Sequence, residues 1–435
     1  MNTPIYDFVN KYRKSGTLRL HMPGHKGTSL LGVEEYDITE IKGADSLYEA
    51  QGIIKESENN ASLLFGFPTF YSTEGSSQCI RAMLFLAKQK GIKRILAGRN
   101  AHKAFITACA LLDLEVEWLY GNSSYLSCNI DEDSLKEAIV KEKPDAVYIT
   151  SPDYLGNLSD VKAISEICKK HNILLLVDNA HGAYLKFLEN SLHPIDLGAD
   201  MCCDSAHKTL PCLTGGAYLH IKDEDLANKA KNALSIFGST SPSYLILQSL
   251  DLVNKYISEG YKEKLHSFIL KVESFKKVLK SKGYSLYENE PLKVTICTKA
   301  YGYSGYDFAE ILRENKIECE FSDPDFTVLM LSVDTDLKRL ENVLLIIPQK
   351  APVPVFPPRF SKPEKALSVR QAIMCDSEEI EVENAEGKIL SGLNVGCPPA
   401  VPIAVCGEKI DKDIIRCFKY YGINKCIVIK RGCLA

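Results

Sequence analysis

The 435-residue chain lacks several features that would place it in a common class of proteins. It has no excess of one charge: 52 Lys+Arg nearly balance 56 Asp+Glu, and the formal net charge is −4. Without a basic tract, it offers no electrostatic footprint for nucleic acid or for an anionic membrane. No run approaches the roughly 18 apolar residues of a membrane span, and the N-terminus lacks a signal-peptide pattern. We therefore expect a cytoplasmic protein with no nucleic-acid or membrane partner.

Motifs for metal, redox and nucleotide chemistry are also missing. The chain has fifteen cysteines, but no C-x-x-C pair occurs among them. We interpret them as reduced thiols that pack as small apolar side chains, and we predict no metal site. Neither G-x-x-x-x-G-K-[ST] nor G-x-G-x-x-G is present, which argues against adenylate and dinucleotide binding.

The middle of the chain alternates short β-rich runs with longer helical patterns. This alternation is typical of an α/β fold with a mostly parallel sheet covered by helices on both faces. Strands are predicted over 93–98, 114–121, 145–150, 173–178, 200–206 and 215–220, and helices over 76–91, 131–143 and 160–171.

Composition shifts predict several domains, as expected for a chain of this length. Two β-like runs around a helix follow a helical, Lys- and Glu-rich stretch and indicate a smaller α/β domain. The proline density of "PQKAPVPVFPPRFSKPEK" indicates a linker. The predicted division is an N-terminal segment (1–40), a large domain (41–260), the small α/β domain (261–350), a Pro-rich linker (351–364) and a C-terminal domain (365–435).

Polar residues gather where predicted strands end. Asp178 ends the run "ILLLVD", and Ser205, His207 and Lys208 lie at the end of the run "DMCCDSA". Ligands of open parallel sheets bind outside the carboxyl ends of the strands. The loop "STEGSS" (72–77) leads directly into an amphipathic helix, whose amino terminus presents unpaired N–H groups to an anion. The sequence therefore predicts a carboxylate, a lysine and a phosphate cradle at one sheet edge.

These groups fit pyridoxal 5′-phosphate. The amine of Lys208 would form the Schiff base, and Asp178 would pair with the pyridinium nitrogen. His102, after the strand at 93–98, is the candidate to stack on the ring, and Ala180 is small enough to pack beneath its other face. Each feature alone is equally typical of a helix cap or a surface residue. Their order along the chain favours the cofactor site.

Seven stretches carry a further resemblance. They are "LHMPGHKG" (20–27), "DITEIKGADSLYEAQGII" (37–54), "STEGSS" (72–77), "RNAHKA" (99–104), "DNAHGAYL" (178–185), "SAHKTLPCLTGG" (205–216) and "AEGKILSGLNVGCPPAVPIAVCGEKI" (385–410). Over nearly its whole length, the chain resembles the bacterial ornithine/lysine/arginine decarboxylases, a family of fold-type I pyridoxal phosphate enzymes. The resemblance implies an aspartate aminotransferase-like fold and decarboxylation of arginine, lysine or ornithine. It also implies a homodimer or higher homo-oligomer.

The resemblance also implies roles for individual residues. Lys208 corresponds to the Schiff-base lysine, Asp178 to the partner of the pyridine nitrogen and His102 to the stacking residue. His181 looks like the residue that contacts the 3′-oxygen side of the cofactor or the substrate carboxylate, and Glu408 matches a candidate acceptor for the cationic substrate tail. The residues implied around the phosphate are Gly75, Ser76, Ser77, Ser205 and His207.

The chain departs from the family pattern at four positions. Cys397 and Ala400 alter the run "CPPAVP", Cys406 replaces a proline before Gly407-Glu408, and Glu74 adds a charge to the phosphate loop. Most of these changes concern substrate recognition rather than cofactor chemistry. Transamination or another lyase reaction, and a non-catalytic paralogue, remain as alternatives.

Overall fold

Helices and strands alternate along most of the chain. The computed structural model describes residues 1–121, 127–287, 290–359, 362–392, 396–397 and 401–430, with only the backbone at 396, 397 and 401. The helices are α1 (Pro4–Lys14), α2 (Ile53–Phe65), α3 (Gly75–Gln89), α4 (Lys103–Leu112), α5 (Glu132–Glu142), α6 (Val161–Lys170), α7 (Ala206–Thr209), α8 (Glu224–Ala227), α9 (Ala230–Ile236), α10 (Tyr244–Ser258), α11 (Tyr261–Ser281), α12 (Thr298–Tyr301), α13 (Gly305–Glu314), α14 (Leu337–Ile346), α15 (Val369–Met374) and α16 (Lys412–Tyr420).

The strands complete the order of elements. They are β1 (Thr69–Ser72), β2 (Arg94–Gly98), β3 (Glu115–Leu119), β4 (Ala146–Thr150), β5 (Leu174–Asp178), β6 (Met201–Asp204), β7 (Ala217–Ile221), β8 (Leu286–Tyr287), β9 (Lys293–Cys297), β10 (Phe321–Ser322), β11 (Phe326–Met330), β12 (Glu364–Lys365), β13 (Ser377–Glu381), β14 (Gly396–Cys397), β15 (Val401–Pro402), β16 (Glu408–Lys409) and β17 (Lys425–Ile429).

The predicted strands and helices between residues 76 and 220 are confirmed, each bound lying within two residues of its expected position. The short strand β1 was not predicted. It is only four residues long and pairs antiparallel with β7, from Thr69 opposite His220 to Ser72 opposite Ala217. Strand β6 ends earlier than predicted, so that Ser205 precedes α7 and Lys208 lies on a helical turn.

Contacts divide the chain into two units. Unit 1 comprises residues 1–91 and 161–266. Its sheet has the strand order β1-β7-β6-β5, in which β5 and β6 are parallel and the other pairs antiparallel. Helix α3 packs on β6 and β7. Helix α6 buries one apolar face, including Val161, Ile164 and Ile167.

Unit 2 comprises residues 92–160 and 267–435. Strands β4, β2 and β3 are parallel neighbours, and β10-β11-β9-β8 form an antiparallel sheet. In the C-terminal part, β13 pairs with β17 and β12 with β16. One apolar cluster contains buried side chains from the antiparallel sheet and from the C-terminal part, among them Val328, Leu390, Ile414 and Phe418.

Residues 351–359 form no helix or strand, as their proline content predicts. The five-part division of the chain stays a prediction. Among the described residues, no helix is long and apolar enough to cross a bilayer.

Candidate active site

The ends of β5 and β6 lie side by side in unit 1. Asp178 pairs in register with Cys203, and the Asn179 N–H donates to the Cys203 carbonyl at 2.9 Å. Because the two strands are parallel, the segments that follow them leave the sheet at the same edge. This arrangement places residues 178–181 beside residues 204–208, as the sequence predicts.

Lys208 contacts a histidine from the neighbouring segment. Its Nζ lies 3.0 Å from Nε2 of His181, which is only 4% exposed. The loop that carries His181 is turned by a hydrogen bond from the Gly182 N–H to the Asn179 carbonyl. An imidazole nitrogen at this distance can accept a proton from the lysine or return one to it. The pair therefore combines an amine nucleophile with a proton acceptor.

Asp178 is 2% exposed, and one of its carboxylate oxygens contacts two neighbouring groups. Its Oδ1 accepts the Ala180 N–H at 3.1 Å and lies 3.7 Å from the Cys203 thiol. Burial, together with the Asp178 charge, raises the pKa of Cys203 well above its usual range, so that the thiol stays protonated. A buried carboxylate held by such donors is suited to binding a cationic nitrogen.

Hydroxyl groups meet at the start of α3. The Ser205 hydroxyl donates to the Ser76 hydroxyl at 2.8 Å, and Ser77 follows in the same first turn. Gly75 has a φ of +71°, and its N–H donates to the Gly215 carbonyl at 2.7 Å. The N–H groups of a first helical turn have no intrahelical acceptor and favour an anion. The predicted phosphate residues Ser76, Ser77 and Ser205 are thus brought together at one helix start, and phosphate binding there stays a prediction.

Two other residues of this region have defined partners. Nδ1 of His207 lies 2.9 Å from the Gly216 carbonyl, which can only accept, so Nδ1 carries the proton. The exposed Glu74 carboxylate accepts the Ser239 N–H. Glu74, which departs from the family pattern, is thus bonded to a backbone donor.

His102 belongs to unit 2, where it caps α4. Its Nδ1 accepts the Ala104 N–H at 3.1 Å, which places the proton of a neutral ring on Nε2. The bond fixes the ring at the end of the loop after β2. Stacking of His102 on a cofactor stays a prediction.

Glu408 also belongs to unit 2, and it is buried. Its two carboxylate oxygens accept from the Arg99 guanidinium at 2.6 and 2.7 Å, and Oε2 also accepts the Val405 N–H. Glu408 is 3% exposed, and the Arg99 side chain is 4% exposed. A cationic substrate tail would therefore have to displace Arg99 to reach this carboxylate. Its role in substrate binding stays a prediction.

The Arg99 guanidinium is enclosed by aromatic rings as well. Its carbon lies 5.1 Å from the ring centre of Trp118 and 5.5 Å from that of Tyr120. Burial alone would lower the pKa of Arg99, but Glu408 raises it overall. Sequence analysis missed Arg99 as a partner, although it stands in the quoted stretch "RNAHKA".

Of the other departures from the family pattern, Cys406 lies near the Arg99–Glu408 pair. Burial raises the pKa of the Cys406 thiol to about 12, which keeps it neutral beside Glu408. Ala400 lies outside the described residues, and only the backbone of Cys397 is described.

Sequence analysis also missed a buried polar cluster next to the cofactor segments. Nε2 of His193 and Nε2 of His220 each lie within hydrogen-bonding distance of the Asp204 carboxylate, and all three side chains are fully buried. The available signal was Asp204, a charged residue at the end of the apolar run "MCC".

The donor set of unit 1 fits pyridoxal phosphate. Lys208 would supply an amine for the aldehyde, Asp178 a carboxylate for the pyridine nitrogen, and Ser76 and Ser205 hydroxyls for the phosphate. These residues stand on a fold-type I architecture, an α/β fold with a mostly parallel central sheet.

Comparison with known proteins identifies the family. Residues 3–295 match the model of the Orn/Lys/Arg decarboxylase major domain. The chain belongs to this family, and its enzyme class is that of the pyridoxal phosphate-dependent amino-acid decarboxylases.

Similar proteins agree with this assignment. The chain is 29% identical to the uncharacterized protein YaaO of Bacillus subtilis, over 96% of this chain and 93% of that protein. It is also 29% identical to arginine decarboxylase of Bacillus subtilis, over 95% and 92% of the two chains. The crystal structure of the Francisella novicida lysine decarboxylase LdcF has a TM-score of 0.80 at 17% identity, covering 98% of this chain and 81% of that chain.

Proposed function

We propose that the chain decarboxylates a basic amino acid, namely arginine, lysine or ornithine, to the amine and CO2. The observation that carries the proposal is the contact of Lys208 Nζ with His181 Nε2 at 3.0 Å. His181 follows β5, which ends at Asp178, and Lys208 follows the neighbouring parallel strand β6. Arginine is the first substrate to test, because one of the two Bacillus subtilis relatives is an arginine decarboxylase.

The residues of the chain have distinct tasks in this proposal. When bound, pyridoxal phosphate supplies the electron sink for the electrons that CO2 leaves behind. Asp178 keeps the pyridine nitrogen protonated, because a buried carboxylate stabilises a neighbouring cation. The Ser76 and Ser205 hydroxyls and the first turn of α3 hold the phosphate. His181 accepts or returns the proton at Lys208 Nζ.

The test is CO2 release by purified holoenzyme with each of the three amino acids, with product identification. We expect one of them to yield stoichiometric amine and CO2. Background CO2 release from all three, together with amino transfer to a keto acid, would instead support the aminotransferase alternative. Background release without any such transfer would favour the non-catalytic one.

We also propose that the chain acts as a homodimer or higher homo-oligomer in the cytoplasm. The N-terminal stretch around "LHMPGHKG" supports this proposal, because it exposes large apolar side chains: Leu18, Leu20, Met22, Leu30 and Leu31 are 64–90% exposed. Contiguous exposed apolar surface is typical of an interaction site. Light scattering should give a mass of at least two chains, and a monomer at micromolar concentration would contradict the proposal.

A further inference from the structure

Asp204 ends β6 and is fully buried in unit 1. Its Oδ2 lies 3.0 Å from Nε2 of His193 and 3.1 Å from Nε2 of His220. Its Oδ1 accepts a hydrogen bond of 2.6 Å from the side-chain amide of Asn179. We call these four residues the Asp204 cluster. A carboxylate without solvent contact depends on such donors for its stability.

The hydrogen bonds assign the protons of the two histidines. Nδ1 of His193 accepts the Ile195 N–H, so its proton lies on Nε2 and points to Asp204. Burial lowers the pKa of His220, which keeps it neutral, and its Nδ1 faces the Thr69 hydroxyl at 2.9 Å. Because the Asp204 carboxylate can only accept, Nε2 of His220 also donates to it.

Two histidines and a carboxylate are also a familiar ligand set for a transition metal. A metal would need the lone pair of His193 Nε2, with the ring proton moved to Nδ1. That proton would then face the Ile195 N–H, which is itself a donor. The cluster is consistent with a hydrogen-bonded network and not with a metal site.

The cluster touches both chain segments that carry predicted cofactor residues. Asn179 directly follows Asp178, and its backbone N–H is bound to the Cys203 carbonyl at 2.9 Å. Asp204 directly precedes Ser205, whose carbonyl accepts the Lys208 N–H at 3.0 Å. One carboxylate thus links the Asp178 segment to the Lys208 segment.

The local sequence accommodates this link. A Cβ at Gly182 would lie 2.0 Å from Oδ1 of Asn179, so only glycine leaves room for the Asn179 side chain as it stands. His193 and His220 approach Asp204 from outside both segments. The Asp204 carboxylate therefore accepts hydrogen bonds from several sides, and the Asn179 side chain is one of the donors.

We propose that Asp204 is a positioning residue that sets the spacing of Asp178 and Lys208 for the cofactor. The inference rests on the proposed function, because it assumes that these two residues bind pyridoxal phosphate. Asp204 itself contacts neither the cofactor nor the substrate in this proposal. It acts through Asn179 on one side and through the start of α7 on the other.

The experiment measures the Kd of the apo-protein for pyridoxal phosphate in Asp204→Asn. Asp251→Asn is the matched control, since Asp251 is an equally buried carboxylate of unit 1 that binds the N–H groups of Ile5 and Tyr6 at the start of α1. Asn179→Ala, which removes the link but keeps Asp204, is the second variant. Apo-protein melting temperatures are recorded for all three variants.

We expect Asp204→Asn and Asn179→Ala to raise the Kd for pyridoxal phosphate about tenfold or more, as loss of a charged hydrogen bond would. The KM for the amino acid on cofactor-saturated enzyme should change less than about threefold. Asp251→Asn should lower the melting temperature but leave the Kd within about twofold.

An unchanged Kd in Asn179→Ala overturns the proposal, even if Asp204→Asn does not fold. An equal rise in Asp251→Asn overturns it too, because the effect would then follow stability alone. A wild-type protein that does not bind pyridoxal phosphate contradicts the proposed function instead, and the two failures are distinguishable.

Discussion

The cofactor region of unit 1 and the C-terminal region of unit 2 hold buried carboxylates in different ways. In the cofactor region, Asp178 accepts a backbone N–H and lies beside a neutral thiol. In the C-terminal region, Glu408 is bonded to the guanidinium of Arg99 and to the Val405 N–H. Neutral donors thus contact the first carboxylate, whereas a buried cation pairs with the second.

This difference bears on how the family motif is understood. A motif residue can keep its identity while its charge is satisfied inside the protein. A buried ion pair loses much more when one partner is removed than it contributes as a pair. The pair gives Glu408 a structural partner inside unit 2, while its role in substrate binding stays a prediction.

The largest effect is expected for Lys208→Ala. The variant loses the only amine assigned to the cofactor aldehyde, so decarboxylation should fall by about a thousandfold or more. The melting temperature of the apo-protein should stay close to that of the wild type, because Lys208 is only partly buried. Steady-state CO2 release measures the effect, and activity within tenfold of the wild type would refute the role of Lys208.

Glu408→Gln tests the C-terminal region. The change leaves the Arg99 charge uncompensated in a buried site and should destabilise the fold by about 3–5 kcal/mol. Urea unfolding measures the loss, and the double variant Arg99→Met/Glu408→Leu should recover most of it. A small loss of stability combined with a tenfold rise in substrate KM would favour the substrate-binding role instead.

Asp178→Asn tests the buried carboxylate of the cofactor region. An amide does not stabilise a protonated pyridine nitrogen, so kcat should fall by about a hundredfold. The free energy of unfolding should change less than in Glu408→Gln, since Asp178 contacts the Ala180 N–H and a neutral thiol rather than a buried guanidinium at these distances. A kcat close to that of the wild type would contradict the role of Asp178.

Ser76→Ala should give the smallest effect. The variant removes one hydroxyl of the phosphate cradle, and the Kd for pyridoxal phosphate should rise by about fivefold to tenfold. Titration of the apo-protein measures it. Ser134→Ala, a partly exposed helix position in unit 2, is the control and should leave the Kd unchanged.

The sequence predicted the cofactor region better than the C-terminal region for a physical reason. Asp178 ends β5, Ser205 and Lys208 follow the end of β6, and the parallel pairing of the two strands brings these segments together without further information. His181 was also quoted, but its contact with Lys208 depends on the tight turn at Gly182.

Long-range partners escaped prediction. Arg99 and Glu408 are 309 residues apart, and nothing local in either stretch indicates that they pair. The same holds for Asp204 with His220, which meet only because β6 and β7 are antiparallel neighbours. Strand β1 was too short to give an alternating pattern.

Borohydride reduction of the wild-type holoenzyme, followed by peptide mass mapping, tests the central claim most directly. The reduction makes the bond between a lysine and the cofactor permanent, and the mass of the adduct identifies the lysine. The account predicts one labelled peptide, containing Lys208, and no labelling in Lys208→Ala. Labelling of a different lysine, or none in the wild-type protein, would contradict it.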